Sequence, residues 1–173
     1  MSRFRLLPTP EQEEALLAHC RDARYVWNLA VEQQQHWQPG RKAPGYVEQC
    51  AQLTEARAEY AWLRAGSQTV QQQALRDFAQ AMQNFFNRHA SPPDMAQSRC
   101  ARRVSAGRAE IASRRAARTA TFGRVWVPKV GWVRFRMSRP VPEGVKSYRV
   151  TRDRAGRWHV VVRARPRPDR RSR

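Results

Sequence analysis

The chain has 173 residues, 41% of them hydrophobic, and carries 33 Lys and Arg against 14 Asp and Glu, a formal charge of +19. That length and that apolar share are enough for one medium domain or two small ones with a core, which excludes a wholly disordered chain. The charge exceeds what solubility requires, so the physical reading of it is a polyanionic partner. It is also one-sided. Residues 1–80 hold nine basic and nine acidic side chains, whereas residues 81–173 hold 24 basic against five acidic ones. All basic residues except Lys42, Lys129 and Lys146 are arginine. Arginine pairs with phosphate in a bidentate fork and stacks on bases, which favours nucleic acid, although the codons of a GC-rich genome raise arginine as well. Cys20, Cys50 and Cys100 lie far apart without histidines at ligand spacing, which argues against a disulfide framework or a zinc site. No apolar run approaches the ~18 residues of a membrane span, and the expectation is a cytoplasmic protein with no membrane partner and no cofactor.

In chain order, Ser2 to Leu7 alternates Phe4 and Leu6 with Arg3 and Arg5, as a short strand would. Thr9, Pro10 and Gln12 then form a helix start with a capping box. Leu16, Cys20, Ala23, Trp27, Ala30 and Gln34 recur at spacings of three and four, which predicts one mostly apolar face over about seven turns, ending at Pro39-Gly40. A second helix is expected from Tyr46 to Tyr60, with Val47, Cys50, Leu53 and Arg57 in step. Ala65-Gly66 breaks it, and Ser67 is placed to cap a third helix lined by Val70, Ala74, Phe78, Ala81 or Met82, and Phe85. The polar face of that helix shows Gln68, Gln71, Gln72, Gln73, Arg76 and Gln80. Amides can read base edges, but composition by itself makes this a solvated face.

Residues 88–120 are rich in arginine, alanine and serine, with only Met95, Val104 and Ile111 as sizeable apolar residues and no apolar face, so an irregular or weakly helical basic segment is expected. From Arg124 the pattern has period two: Val125, Val127 and Val130 surround a Pro-Lys-Val-Gly turn, after which Trp132, Arg134 and Arg136 alternate with Val133, Phe135 and Met137. One face of this strand is an indole and two guanidinium groups, suited to phosphate and to stacking, or simply solvated. Turns at Val-Pro-Glu-Gly and Asp-Arg-Ala-Gly separate two further strands that carry Arg149 and Arg152 and end in Trp158 to Val162. The strand near Phe4 is the natural completion of this small sheet. The result is an α+β fold, with a three-helix unit set between parts of an antiparallel β-barrel or sheet.

Several stretches, FRLLPTPEQ, ARYVWNLA, AMQNFF and VWVPKVGWVRFR, together resemble the N-terminal half of the TnpB family, also called OrfB-type transposases, over residues 3–87 and 124–165. The resemblance implies a wedge barrel from residues 1–9 and 121–165, a helical recognition domain at 10–87, an Arg-rich segment at 88–120 and a basic tail at 166–173. It implies binding of a guide RNA and of duplex DNA at a short motif beside the target, with base pairing supplying most of the specificity. Carried over residue by residue, the motif readers are Tyr46, Gln68, Thr69 and Gln72. Arg3, Arg5, Arg76, Lys129, Trp132, Arg134, Arg136, Arg149 and Arg152 are expected on nucleic-acid backbone. The family's metal-dependent nuclease domain has no counterpart in this sequence, so no enzyme, no catalytic residue, no metal and no small-molecule substrate is expected. Where the family has Gly-Thr-x-x-x-Pro-x-x-Arg-Lys, codons permitted for Arg88 to Ser98 give Gly-Thr-Arg-Arg-Arg-Pro-Thr-Trp-Arg-Lys one nucleotide later, as an out-of-frame segment would. Two alternatives remain open. One is a pseudogene product with exposed sheet edges; the other is a helix-turn-helix repressor, against which the long Pro39 to Gly45 connection counts.

Overall fold

A computed structural model describes residues 1–36, 44–87, 91–93, 103–106, 111–112 and 122–164. The alternation at the N-terminus forms β1 (Ser2–Leu7), which buries Phe4 and Leu6 and exposes Arg3, Arg5 and Leu7. Then α1 (Pro10–Gln35) opens with the predicted capping box: the Gln12 amide nitrogen donates to Thr9 Oγ1, and Thr9 N donates to Gln12 Oε1. The helix ends at Gln35, before the expected Pro39-Gly40 stop. It also has two buried sides rather than one. Leu16 and Cys20 pack on the sheet, Val26, Ala30 and Val31 pack among helices, and Ala23 touches both groups. At 1.5 Å per residue α1 is about 39 Å long. Each half therefore meets a different layer, and a single stripe cannot describe it.

Three helices follow: α2 (Tyr46–Glu59), α3 (Ala61–Ala65) and α4 (Gln68–Phe86). The short α3 was not expected; Tyr60, in extended backbone, separates it from α2. Val70, Ala74, Leu75 and Phe78 form the buried side of α4. Ser67 occupies its N-cap without a side-chain capping bond. One glutamine departs from the expected solvated face, because Gln71 is fully buried. Its Nε2 donates to Asp22 Oδ2 (3.2 Å) and to the Leu63 carbonyl (2.9 Å), while its Oε1 accepts a short bond from Arg57 Nη1. Arg57 also donates to the carbonyls of Leu63 (2.8 Å) and Arg64 (3.2 Å), so one guanidinium closes the turn from α3 to α4. Burial of Asp22 raises its pKa above the ordinary carboxylate value, against the lowering effect of the Gln71 bond.

Four longer strands complete the sheet with β1. They are β4 (Phe122–Val127), β5 (Gly131–Arg136), β6 (Val145–Arg152) and β7 (Trp158–Ala164), and all pairings are antiparallel. In the basic segment expected to be irregular, two short strands, β2 (Arg103–Ala106) and β3 (Ile111–Ala112), pair with β6 and β4. An edge strand needs only backbone donors and acceptors from its neighbour, so it forms without a side-chain period to announce it. Apart from Ser91, Pro92 and Pro93, the rest of the segment and the basic tail lie outside the described residues.

The order β2-β6-β7-β1-β5-β4-β3 places two strands that are near in sequence at opposite ends of the sheet. Laid flat, seven strands would separate them by about 29 Å. Five residue steps from Ala106 to Ile111 reach only about 17 Å, so the sheet must curl. A second observation agrees: the Tyr148 hydroxyl on β6 donates to the Trp126 carbonyl on β4 at 2.5 Å, four strands away in the order. The concave side buries Val125, Val127, Val133, Phe135, Val150, Trp158, Val160 and Val162 against Leu16 and Cys20. Cys20 is buried there and its thiol is pushed up to about 12, so it is a packing residue rather than a nucleophile. No helix among the described residues is long and apolar enough to cross a membrane.

Candidate nucleic-acid interface

The period of two that fills the core also fixes the convex face of the sheet. On β5, Trp132, Arg134 and Arg136 point out. Directly opposite on β4 stand Trp126, Arg124 and Phe122, and on β1 Leu7 faces Arg134 while Arg5 faces Arg136. Two like-charge pairs, Arg5 with Arg136 and Arg124 with Arg134, thus sit at cross-strand positions. Such pairs destabilise a sheet unless something negative lies over them. Among the described residues, none of these four arginines has a carboxylate at ion-pairing distance. The aromatic groups interleave with them: Trp126 and Trp132 meet edge to face at 5.6 Å, and the Arg134 guanidinium lies 4.8 Å from the centre of the Phe122 ring. All three rings are about 40% exposed.

The other expected backbone contacts have protein partners. Arg152 pairs with Glu13 at 2.9 Å, donates to the Gly156 carbonyl and lies over Trp158, whose indole also donates to Glu13. Arg149 is 3.6 Å from Asp77 of α4, and Lys129 Nζ donates to the Ala65 carbonyl at 2.8 Å. These three tie helices to sheet. Arg3 is exposed, with Nη2 3.0 Å from His159 Nδ1.

That contact has a pH consequence. A guanidinium cannot accept, so His159 Nδ1 accepts and the ring is neutral. Burial first, and then the Arg3 charge, lower the His159 pKa against the opposing pull of Asp153; Arg157 also faces the ring. A histidine whose folded pKa is depressed leaves stability intact above the unfolded value, about 6.5, and lowers it as pH falls below that value until the folded pKa is passed. Urea midpoints measured from pH 7.5 to 5 are expected to fall, and the slope is expected to flatten in His159→Gln.

In the helical part, Gln68, Gln72 and Arg76 recur at four-residue intervals on α4, with Thr69 beside them. Gln68 and Thr69 are exposed and Gln72 is half-buried. Arg76 Nη2 donates to the Tyr46 hydroxyl at 3.3 Å and its guanidinium lies over the Tyr46 ring. The fold therefore joins Tyr46 of α2 to the far end of this row. Sequence reasoning missed Phe122, Arg124 and Trp126. The signal was present, since FGRVWV alternates in the same phase as GWVRFR once the turn at Pro128 is accepted.

A helix-turn-helix domain model of the OrfB proteins matches residues 2–42. Over 166 residues the sequence is 35% identical to a candidate RNA-guided DNA endonuclease of Streptomyces pristinaespiralis, and 27% identical to InsQ of Escherichia coli K12, named as another such candidate. In both cases 92% of this chain is matched. The chain thus resembles the OrfB-type proteins along nearly all of its length. It spans about two-fifths of the length of these relatives (40% and 39%). Of the residues that the domain model matches, 2–36 form β1 and the single helix α1. The convex face of β1, β5 and β4 lies mostly outside that match.

Proposed function

We propose that the chain binds nucleic acid without cutting it, holding RNA on the convex face of β1, β5 and β4 and contacting duplex DNA with the row formed by Gln68, Thr69, Gln72 and Tyr46. This is the division into wedge barrel and helical recognition unit that the family resemblance implies. One observation carries it: two pairs of opposed arginines without carboxylate partners among the described residues, framed by three exposed rings. Guanidinium groups supply phosphate contacts whose strength depends on salt, and the rings supply stacking to unpaired bases. The names of the relatives supply the two kinds of strand, a guide RNA and a DNA target. The binding role is also consistent with how four carboxylates are used: Glu13 holds Arg152, Asp77 faces Arg149, Asp22 accepts from Gln71, and Asp153 holds Arg157.

Fluorescence anisotropy tests the reading, with a labelled RNA hairpin bearing a single-stranded tail and with a DNA duplex of equal length. Four phosphate contacts predict that log K falls against log salt with a slope of about 3 to 4. No binding, or binding indifferent to salt, rejects the proposal. A pseudogene product without a folded core would show no cooperative urea transition, and the same sample decides that point. The described core, with no buried side-chain polar atom left unpartnered, predicts a cooperative one.

A further inference from the structure

Away from the sheet face, a groove of about 1050 Å³ runs between the middle of α1, the corner from α3 to α4 and the turn from β4 to β5. Arg21, Arg24, Tyr25 and Asn28 line it from α1, Trp62 from α3 and Lys129 from the turn. We infer that this groove takes one or two unstacked nucleotides of a single-stranded segment, with a base against Tyr25 and Trp62 and its phosphates on Arg21, Arg24 and Lys129. The inference deepens the nucleic-acid reading above and rests on it, at a second place on the molecule.

The aromatic side is the first argument. Tyr25 is 41% exposed and Trp62 49%, and the two rings meet edge to face at 4.9 Å. At those exposures apolar ring surface remains uncovered at the groove. Every base has a face that can stack there, whatever its sequence. The second argument is charge. Arg21 is exposed and Arg24 half-buried, and neither has a carboxylate at ion-pairing distance among the described residues. Asp22 also lines the groove, where its buried carboxylate accepts from Gln71 and feels the charge of Arg21, so one carboxylate stands against the three cations Arg21, Arg24 and Lys129.

The third argument is the lip. Lys129 has a positive φ of 60° at the second central position of a turn that the Val130 amide closes onto the Val127 carbonyl at 3.1 Å. A side chain in that region is strained and would favour glycine or asparagine there. Its ammonium is fixed by the Ala65 carbonyl at 2.8 Å, and an ammonium has two further protons to donate. The turn thus holds a cation at the groove edge. A duplex keeps its base faces covered by neighbouring pairs and gains only the charge term here, whereas an unpaired strand gains both.

A single-stranded RNA carrying 5-iodouridine, irradiated with the full chain, is expected to cross-link to Tyr25 or Trp62. Stacking of one base predicts that Tyr25→Leu with Trp62→Leu weakens binding of an unpaired oligonucleotide roughly 10-fold or more while changing binding of a blunt-ended duplex less than about twofold. Cross-links confined to Phe122, Trp126 and Trp132, or equal losses on both ligands, overturn the groove and leave the sheet-face reading standing. A wild-type chain that binds neither ligand rejects both. If the double variant fails to fold, the cross-link in the wild-type chain still decides. Polyglutamate of matched charge should compete poorly, and equal competition would mean that charge alone acts, which also overturns the inference.

Discussion

Replacing Gly66 with alanine is expected to cost about 3 kcal/mol of folding stability, although the backbone there suits any residue. Gly66 has φ −67° and ψ 169°, and in such extended backbone alanine would by itself stabilise the chain by about 0.4–1 kcal/mol through the unfolded state. Any loss must therefore come from the space the new methyl group enters. It would collide with Asp22 Oδ2 and come within 2.6 Å of Gln71 Nε2. Neither is the loose end of a surface side chain: Asp22 is 8% exposed and Gln71 fully buried, and Gln71 is bonded to Asp22, Leu63 and Arg57 at once. Displacing either group leaves buried donors or acceptors unmet, at about 1–3 kcal/mol each. Urea denaturation measures the change, and an unaltered or raised midpoint would mean that the network relaxes freely. Because Gly66 ends α3, which carries Trp62, and shortly precedes Gln68, the variant should also loosen both helical surfaces proposed to meet nucleic acid.

Local chemistry was legible in the sequence where one residue decides a local structure. The Thr9 to Gln12 capping box, the break at Gly66 and the alternation of β5 all appear where their residues place them. What could not be read depends on partners far away in the chain. Gln71 belongs by composition with Gln68 and Gln72, and only the meeting of α1, α3 and α4 turns it inward to Asp22 and Arg57. The two-sided burial of α1 likewise follows from its reaching past the edge of the sheet into the helices. The short strands β2 and β3 have no side-chain period because their neighbours supply the pairing. On the candidate face, Trp132, Arg134 and Arg136 were visible as one strand's outer row. Their significance changes with register, which sets Arg124 opposite Arg134 and Arg5 opposite Arg136. Register also shows why counting arginines misleads, since Arg149 and Arg152 lie in the same sheet yet face carboxylates of the helices.

Changing Arg124, Arg134 and Arg136 together to glutamine should separate these roles, because binding and stability are expected to move in opposite directions. Each lost phosphate contact reduces the salt slope by about 0.7 to 0.9, so the triple change should remove about 2 to 3 from it. Extrapolated to physiological salt, the same three contacts correspond to a loss of affinity on the order of 100-fold. A structural role would predict unfolding as well. The opposite is expected, since Arg124 and Arg134 repel across the ladder and Arg136 faces Arg5, so the variant should melt at the same temperature or higher. Arg152→Gln supplies the contrasting case: it removes the ion pair to Glu13 and the contact over Trp158, so it should lower the melting temperature while leaving the salt slope nearly unchanged. If the triple variant instead loses stability and keeps its affinity, the convex face is an ordinary solvated surface and the nucleic acid must lie elsewhere. The distinction rests on sign, not size, because a sheet that leaves like charges opposed in the free protein is relieved by removing them, whereas a bound polyanion is deprived of its contacts.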